Sequence, residues 1–312
     1  MLRRLLDERI LLLDGAIGTL IQPPGQGSAS LDLPDCAVLE TPEAVSRAHE
    51  EYFKAGADII TTNTFNSNAV SLSEFGISEK AYLLSRDAAI LARKAADIFT
   101  SHSPSKPRFV AGSVGPTKHV LSNPERCADI KFDTLFDAYL DQMRGLVDGG
   151  ADLILIETVF DLKNAEAALQ AVGRLETERM VKIPVIVSAT FNPHTATILS
   201  GESPEEFCDY LKDADLLAVG INCSNGSEGI LPLVKRLSAS SHIPVAVFPN
   251  AGMPDNNGGY HDSPDFFAAN LERCMALGLV NIVGGCCGTT PAHIFRLSSL
   301  VTKYRPFVPS KI

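Results

Sequence analysis

The sequence predicts an α/β fold of eight parallel strands, each followed by a helix, closed into a single-domain (β/α)8 TIM barrel. Three observations carry this prediction. Apolar, strand-like runs alternate with amphipathic, helix-like stretches eight times along the 312 residues. The runs are apolar almost throughout, as parallel strands buried on both faces require. The helix-to-strand junctions Gly56-Ala57-Asp58, Gly150-Ala151-Asp152 and Asp213-Ala214-Asp215 also resemble one another and precede alternate strands. A doubly wound open sheet is the runner-up. A barrel of this kind commonly takes about 250 residues or more, so the length fits one domain over residues 1–303. Residues 304–312, with Pro306 and Pro309, read as a tail or the start of a linker.

The elements follow in order. The first strand, 10–14, ends at Asp14, before Gly15-Ala16-Ile17-Gly18-Thr19. Asp14 reads either as a turn or cap aspartate or as a carboxylate that holds an ammonium group while neighbouring backbone N–H groups hold a carboxylate. The glycine spacing is not that of a dinucleotide-binding turn. Helix 42–55 leads to strand 58–62 and Asn63; helix 79–100 leads to strand 109–113, ending at Ser113. Helix 132–149 precedes strand 153–158, in which Glu157 interrupts an otherwise apolar run. A carboxylate there is costly unless it meets a cation or a donor, which marks it as a ligand-binding candidate. Helix 162–176, strand 185–190 and helix 204–212 lead to strand 218–222, which delivers Asn222 and Cys223. Helix 229–240 precedes strand 245–249 and Asn250, and helix 264–277 precedes strand 281–285. The last helix, 291–304, opens with Thr290 as N-cap and Pro291 at its first position.

Five residues on from Asp58, Asp152 and Asn281 stand Asn63, Glu157 and Cys286. Strands two, four and eight therefore present polar groups at one level, the C-terminal lip where catalytic residues gather in a barrel. Asn63, Ser113 and Asn222 also fit strand capping or loop hydrogen bonds. Segments 22–37, 118–131 and 253–260 follow strand ends and are read as substrate loops.

The most specific stretch is Gly284-Gly285-Cys286-Cys287-Gly288-Thr289-Thr290-Pro291, on a strand-to-helix turn. Glycines beside adjacent cysteines expose backbone where a ligand can approach. With Cys223 the pair supplies three thiolates, and three protein ligands plus one open position is the pattern of a catalytic zinc. A strained vicinal disulfide or plain buried thiols are the alternatives. Asn250, beside the cysteine strand, is either a displaceable fourth ligand or part of a turn. Cys208 and Cys274 fall within helices; Cys36 or Cys127, in loops, would make the zinc structural if either closed the tetrahedron. The histidines show no metal-ligand spacing and read mostly as surface or cap residues.

A formal net charge of -10 without a local basic cluster argues against nucleic acid and anionic lipid as partners. No apolar run reaches the roughly 18 residues of a membrane helix, and Asp7, Glu8 and Arg9 interrupt an N-terminal run that otherwise mimics a signal sequence. Seven cysteines without a framework spacing fit a reducing, cytoplasmic setting.

Taken together, these segments resemble the homocysteine S-methyltransferase family, most closely the homocysteine-binding module of cobalamin-dependent methionine synthase. The stretches are Leu13 to Thr19, Gly56 to Asn68, Gly112 to Thr117, Gly150 to Phe160, Gly220 to Cys223, Pro249 to Pro254 and Asn281 to Pro291. The resemblance implies zinc on Cys223, Cys286 and Cys287, with Asn250 as displaceable ligand. It also implies Asp14 and Glu157 on the amino group of L-homocysteine, and backbone near Gly15 and Ala16 on its carboxylate. Asn63, Ser113 and Asn222 would complete the substrate pocket. The expected reaction is methyl transfer to the homocysteine thiol, giving methionine. Methylcobalamin on partner folate- and cobalamin-binding modules is the first expectation for the donor. A stand-alone enzyme using S-methylmethionine, S-adenosylmethionine or betaine is the alternative, and a non-catalytic zinc-stabilised binding module a third. The chain carries no Asp-x-His-x-x-Gly cobalamin motif.

Overall fold

In the computed structural model the described residues are 1–21, 33–123, 130–224 and 226–309. Eight parallel strands form one sheet in the order β1-β8-β7-β6-β5-β4-β3-β2. They are β1 (Leu11–Leu12), β2 (Ile59–Thr61), β3 (Phe109–Val114), β4 (Leu153–Val159), β5 (Val185–Ala189), β6 (Ala218–Cys223), β7 (Val245–Pro249) and β8 (Ile282–Val283). A parallel bridge between Leu13 and Ile59 joins β1 to β2 and completes the ring. The principal helices are α1 (Leu2–Glu8), α2 (Ile17–Ile21), α3 (Ala37–Glu40), α4 (Pro42–Ala55), α5 (Ala69–Ser73), α6 (Ala81–His102), α7 (Phe132–Asp148), α8 (Leu162–Arg179), α9 (Pro204–Leu211), α10 (Gly226–Ser240), α11 (Pro264–Ala276) and α12 (Pro291–Ser298). The predicted (β/α)8 barrel is the observed fold.

Alternate residues of each strand serve two cores. Leu11, Leu13, Leu153 and Leu155 point into the barrel with Phe109 and Phe248, whereas Leu12, Ile154 and Ile156 pack outward against the helices. Both faces being apolar, the strands read as unbroken hydrophobic runs rather than as alternating ones.

Two parts of the chain differ from the sequence reading. Residues 2–8 form α1, whose Leu2 and Leu6 join the inner core and plug the barrel floor; the heptad is too short to declare itself by periodicity. The last helix stops at Ser298 rather than at 304. Beyond it, Phe307 N–H donates to Val280 O (3.0 Å) and Phe307 O accepts from Asn281 Nδ2 (2.8 Å), so this stretch lies against the entry to β8.

The repeated junctions have a physical explanation. The Asp58 carboxylate accepts from Leu12 N–H (2.9 Å), that of Asp152 from Val110 N–H (2.7 Å), and Asn281 Oδ1 from Val245 N–H (2.9 Å). Each staples its strand to a neighbour at the N-terminal rim. Asp215, in the third junction, instead pairs with Arg3 at the surface. Asp58 is the most heavily used: it is buried and takes a bidentate pair from Arg9 (2.8 and 3.0 Å), with Lys106 and Arg108 each 3.7 Å away. Asp58→Ala strands these cations and opens the β1–β2 seam, so an unfolding free energy lower by about 3–5 kcal/mol is expected in denaturant titration. A loss under about 1 kcal/mol would show that the seam holds without it.

His49 departs from the surface reading of the histidines. It lies wholly inside α4's buried face, and neither ring nitrogen has a hydrogen-bond partner. Burial lowers its pKa to about 4. The unfolded chain therefore binds a proton more readily than the folded one, and stability falls as pH drops from about 6.5 toward 4, by up to roughly 3 kcal/mol. Thermal melts of the protein and of His49→Phe across that range should diverge, with the variant losing less; parallel curves would contradict this assignment. His293 does act as a cap: its Nδ1 accepts from Thr290 N–H (3.1 Å).

Candidate active site

The polar strand ends meet in one cavity of about 190 Å³ at the C-terminal mouth of the barrel. Asp14, Gly15, Ala16, Asn63, Ser113, Glu157, Cys223, Cys286 and Cys287 all line it, so the level set by Asn63, Glu157 and Cys286 is a real one. Thr61, Thr62, Thr64, Phe65 and Phe248 also line it, with Leu13, Ile17 and Gly285. Its ionisable groups are two carboxyls and three thiols, with no lysine, arginine or histidine among the described lining.

The three sulfurs lie within 4.8 Å of one another: Cys223 to Cys286 is 3.0 Å and Cys286 to Cys287 is 3.9 Å. Tetrahedral zinc with Zn–S bonds of about 2.3 Å needs sulfurs about 3.8 Å apart, so the cluster fits that ion after small side-chain shifts. The backbone is built to deliver them. Cys286 N–H donates to Pro249 O (2.8 Å) and Ala251 N–H to Cys287 O (2.9 Å), which ties the cysteine turn to the end of β7. Cys223 and Ser224 sit at φ 51° and 50°, and Thr158, at the end of β4, at φ 59°. Left-handed backbone at a β-branched residue is strained, and such strain persists where surrounding contacts impose it. Here Asn222 imposes it. Its Oδ1 accepts from Thr158 N–H (2.9 Å) and Ser188 Oγ (2.8 Å), and its Nδ2 donates to Thr158 Oγ1 (2.8 Å). The same Nδ2 lies 3.5 Å from Cys223 Sγ and 3.9 Å from Cys286 Sγ.

Asn222 is therefore a support behind the sulfurs: it is fully buried and is not part of the described cavity wall. Its neighbours on β4 and β5 use up the amide that the sequence reading gave to substrate. Asn250 is buried at the end of β7, its backbone N 3.5 Å from Cys223 O, and it is not among the described residues that line the cavity. Its side-chain Oδ1 has no hydrogen-bond partner among the described residues, which leaves that carbonyl free to serve as a donor. Among the described residues no other cysteine joins the cluster. Cys36 packs beneath α3, and Cys208 and Cys274 lie in the outer core. Cys127, with residues 124–129 of segment 118–131 and 22–32 of segment 22–37, lies outside the described residues.

Cys286 Sγ hydrogen-bonds both Cys223 Sγ and Cys287 Sγ. Bonds from Cys223 and Cys286 hold Cys287 well below the usual thiol range. Cys286, bonded to both other sulfurs and partly buried, is pushed up.

Two carboxyls face the sulfurs. Burial raises Asp14 well above the usual range even though it accepts from Thr61 N–H (2.8 Å) and Thr61 Oγ1 (3.2 Å). Burial lifts Glu157 to about 7, against a bond from Ser113 Oγ (2.5 Å), and negative charge on Cys287 adds to the rise. Among the described residues neither has a cationic partner. Asn63 has its amide committed to Pro34 O (2.7 Å), holding the segment that follows residue 32 against the end of β2.

Thr289 was missed as a site residue because it was read only as part of a turn. Its Oγ1 donates to Cys286 O (2.6 Å) and accepts from Ala16 N–H (3.1 Å). The Ala16 amide expected to meet a carboxylate is thus already bonded, and the first and last strands are joined across the site. Glycine is required at 15 and 285, since a Cβ at either would stand 2.5 or 2.4 Å from Thr289 Oγ1.

The sequence profile described as homocysteine S-methyltransferase matches residues 11–301. The chain belongs to this family. It is accordingly a methyltransferase, and it also resembles crystal structures of the homocysteine methyltransferase MmuM from Escherichia coli. The oxidized form is 25% identical with a TM-score of 0.78, covering 96% of this chain and 98% of that one. The metallated form is 26% identical, with a TM-score of 0.73 and coverage of 96% and 99%. For the apo form the values are 25%, 0.68, and 93% and 95%. Membership of the family makes homocysteine the consistent methyl acceptor, and Cys223, Cys286 and Cys287 form a group that could hold a metal ion. No helix among the described residues is long and apolar enough to cross a membrane.

Proposed function

We propose that this chain transfers a methyl group from a small cationic donor to the thiol of L-homocysteine, giving methionine, with zinc held by Cys223, Cys286 and Cys287. The observation that carries the donor class is the acid-only cavity wall. The thiols and the two carboxyls are the only ionisable groups of the described wall, and Asp14 and Glu157, raised by burial, gain negative charge as a cation enters. A sulfonium or quaternary ammonium donor is drawn into such a field, whereas an anionic donor is repelled. S-methylmethionine, S-adenosylmethionine and betaine all present that cationic centre. The near-complete overlap with a homocysteine methyltransferase of similar length supports this alternative over methylcobalamin and partner folate- and cobalamin-binding modules.

Zinc in this ligand set lowers the pKa of an incoming thiol, near 8.5 when free, so that it reacts as thiolate. The chain's own residues do the rest. Glu157, held by Ser113, and Asp14, held by Thr61, take the substrate ammonium. The Gly15–Ala16 backbone borders the space for its carboxylate. Asn250, whose Oδ1 has no partner among the described residues, would offer an oxygen as a fourth, displaceable ligand. The substrate sulfur then attacks the methyl carbon in line, the bond from carbon to the donor's sulfur or nitrogen breaks, and the neutral donor leaves with that electron pair.

The deciding assay mixes the zinc-loaded protein with L-homocysteine and, in turn, S-methylmethionine, S-adenosylmethionine, betaine and methylcobalamin, with methionine measured before and after zinc removal. Zinc-dependent transfer from one of the cationic small donors is expected. Transfer from methylcobalamin alone, or transfer that survives zinc removal, would defeat the proposal.

A further inference from the structure

One strand edge beside the cavity is held by side chains rather than by its neighbouring strand. The β2–β3 ladder runs as far as Thr62 N–H, which donates to Ala111 O (3.0 Å), and resumes where Gly115 N–H donates to Phe65 O (3.0 Å). Between these bonds Thr64 N–H donates to Thr62 O (3.0 Å), a tight turn that lifts residues 62–64 out of the ladder. Ser113 faces the gap, where its backbone N–H and C=O need other partners. Side chains supply them. Ser113 N–H donates to Thr62 Oγ1 (3.0 Å), and Ser113 O accepts from Thr64 Oγ1 (2.7 Å) and from Gln142 Nε2 (3.2 Å). Gln142 stands on α7, is fully buried and is not part of the described cavity wall. Its Nε2 also donates to Thr64 O (2.7 Å), so one amide clamps the two carbonyls together, while its Oε1 has no partner among the described residues. Both carbonyls already have another donor: Ser67 N–H reaches Thr64 O (3.0 Å), and Thr64 Oγ1 reaches Ser113 O. The amide thus adds no bond that the fold lacks, and it buries an oxygen left unsatisfied. For stability alone such a group is disfavoured.

We propose that Gln142 is a positioning residue for the substrate ammonium site, acting through Ser113 on Glu157. Ser113 gives its hydroxyl proton to Glu157 Oε1 (2.5 Å) from the stretch of β3 that the Gln142 amide clamps to Thr64. With one carboxylate oxygen engaged, the place of Ser113 sets how the other is presented to a ligand. A binding constellation works only while its groups stay within about 0.5 Å of the productive geometry. Strand pairing cannot give Ser113 that precision, because β2 has left the ladder at this level. Gln142 restores it from the outer layer, and what it sharpens is recognition of the amino group that separates homocysteine from a plain thiol acid.

The inference rests on the reading of Asp14 and Glu157 as the ammonium site, and its test needs no turnover. Zinc-loaded protein is titrated calorimetrically with L-homocysteine and with 4-mercaptobutanoate, the same thiol and carboxylate without the amino group. Gln142→Met removes the amide at nearly constant volume. It should bind L-homocysteine about tenfold more weakly, the scale of one hydrogen bond to a charged group, and 4-mercaptobutanoate within about twofold of the parent. Its thermal midpoint should be equal or higher, since the orphaned oxygen is gone. Ser113→Ala should lose the same discrimination. The double variant should bind homocysteine no worse than Ser113→Ala alone, because the two residues act in series. Equal weakening for both ligands, parent-like discrimination whatever the thermal midpoint, or additive losses in the double variant would overturn the proposal. If Gln142→Met does not fold, the same discrimination is read from Thr64→Val, which removes the other donor to Ser113 O. A parent protein that binds both ligands alike, or neither, would instead overturn the reading beneath it.

Discussion

Replacing Cys286 by alanine is expected to remove zinc binding and methyl transfer together. The residue sits between Cys223 and Cys287, 3.0 and 3.9 Å from them, so its loss breaks the cluster at its centre. Structural zinc in small proteins is worth about 10–16 kcal/mol over four ligands, hence about 3 kcal/mol per thiolate, or roughly two orders of magnitude in affinity. Activity should fall further, by at least roughly a thousandfold, because the metal that remains is held in the wrong geometry to present a thiolate. Metal analysis after dialysis and a methionine-forming assay read the two effects separately. Unchanged zinc content alongside unchanged transfer in Cys286→Ala would end the zinc-thiolate mechanism. Retained zinc with lost transfer would point instead to a structural metal.

The second large effect is expected at Glu157, where one substitution should move two measurements in opposite directions. Glu157→Gln keeps the shape and the contact with Ser113 but cannot carry charge. The ammonium of homocysteine then lacks one of its two carboxylates in a buried site, and breaking such a pair costs about 3–5 kcal/mol, so KM for homocysteine should rise by roughly 10²- to 10³-fold. Stability should change the other way. In the ligand-free protein burial raises Glu157 to about 7, above the 4.5 of the unfolded chain. The folded state thus holds a proton that the unfolded state has released. This group's contribution is most favourable below pH 4.5 and is lost as pH rises through 7, at a cost of up to about 3 kcal/mol. Glutamine removes that dependence, so Glu157→Gln should melt higher than the parent at pH 8 and alike at pH 4. A matching pH effect belongs to binding: kcat/KM for the parent should fall as pH drops below about 7, and this limb should move in the variant. An unchanged KM with a lowered melting temperature would remove Glu157 from the ammonium site.

The pairing of these outcomes reflects how the site is assembled. Asp14 and Glu157 are both raised by burial, and neither has a cation to meet among the described residues. Two carboxyls kept from their preferred state mark a place where a ligand supplies the missing charge. Fold stability is given up locally and recovered elsewhere, notably at the N-terminal rim where Asp58, Asp152 and Asn281 staple the strands. That division between a stabilising floor and a strained, acid-lined mouth follows the general logic of the barrel.

Much of this was legible in the chain itself. Strand burial on both faces wrote eight uninterrupted apolar runs, and the turn between a parallel strand and its helix fixed where Asp14, Glu157, Cys223 and the Cys286–Cys287 pair emerge. Residues on successive strands of a barrel reach one rim, so counting along the strands was enough to bring Asn63, Glu157 and Cys286 to one cavity. The roles that escaped the sequence depend on contacts between elements distant in the chain. Thr289 bonds Ala16 across 273 positions, and Asn222 turns from substrate candidate to support because Thr158 and Ser188 claim its amide. Tyr260 lies against Gly288 only because a loop folds back over the cysteine turn. Periodicity and motif spacing report what a segment does along its own axis; hydrogen-bond partners and charges across the barrel mouth are settled by packing, which the tertiary structure alone decides.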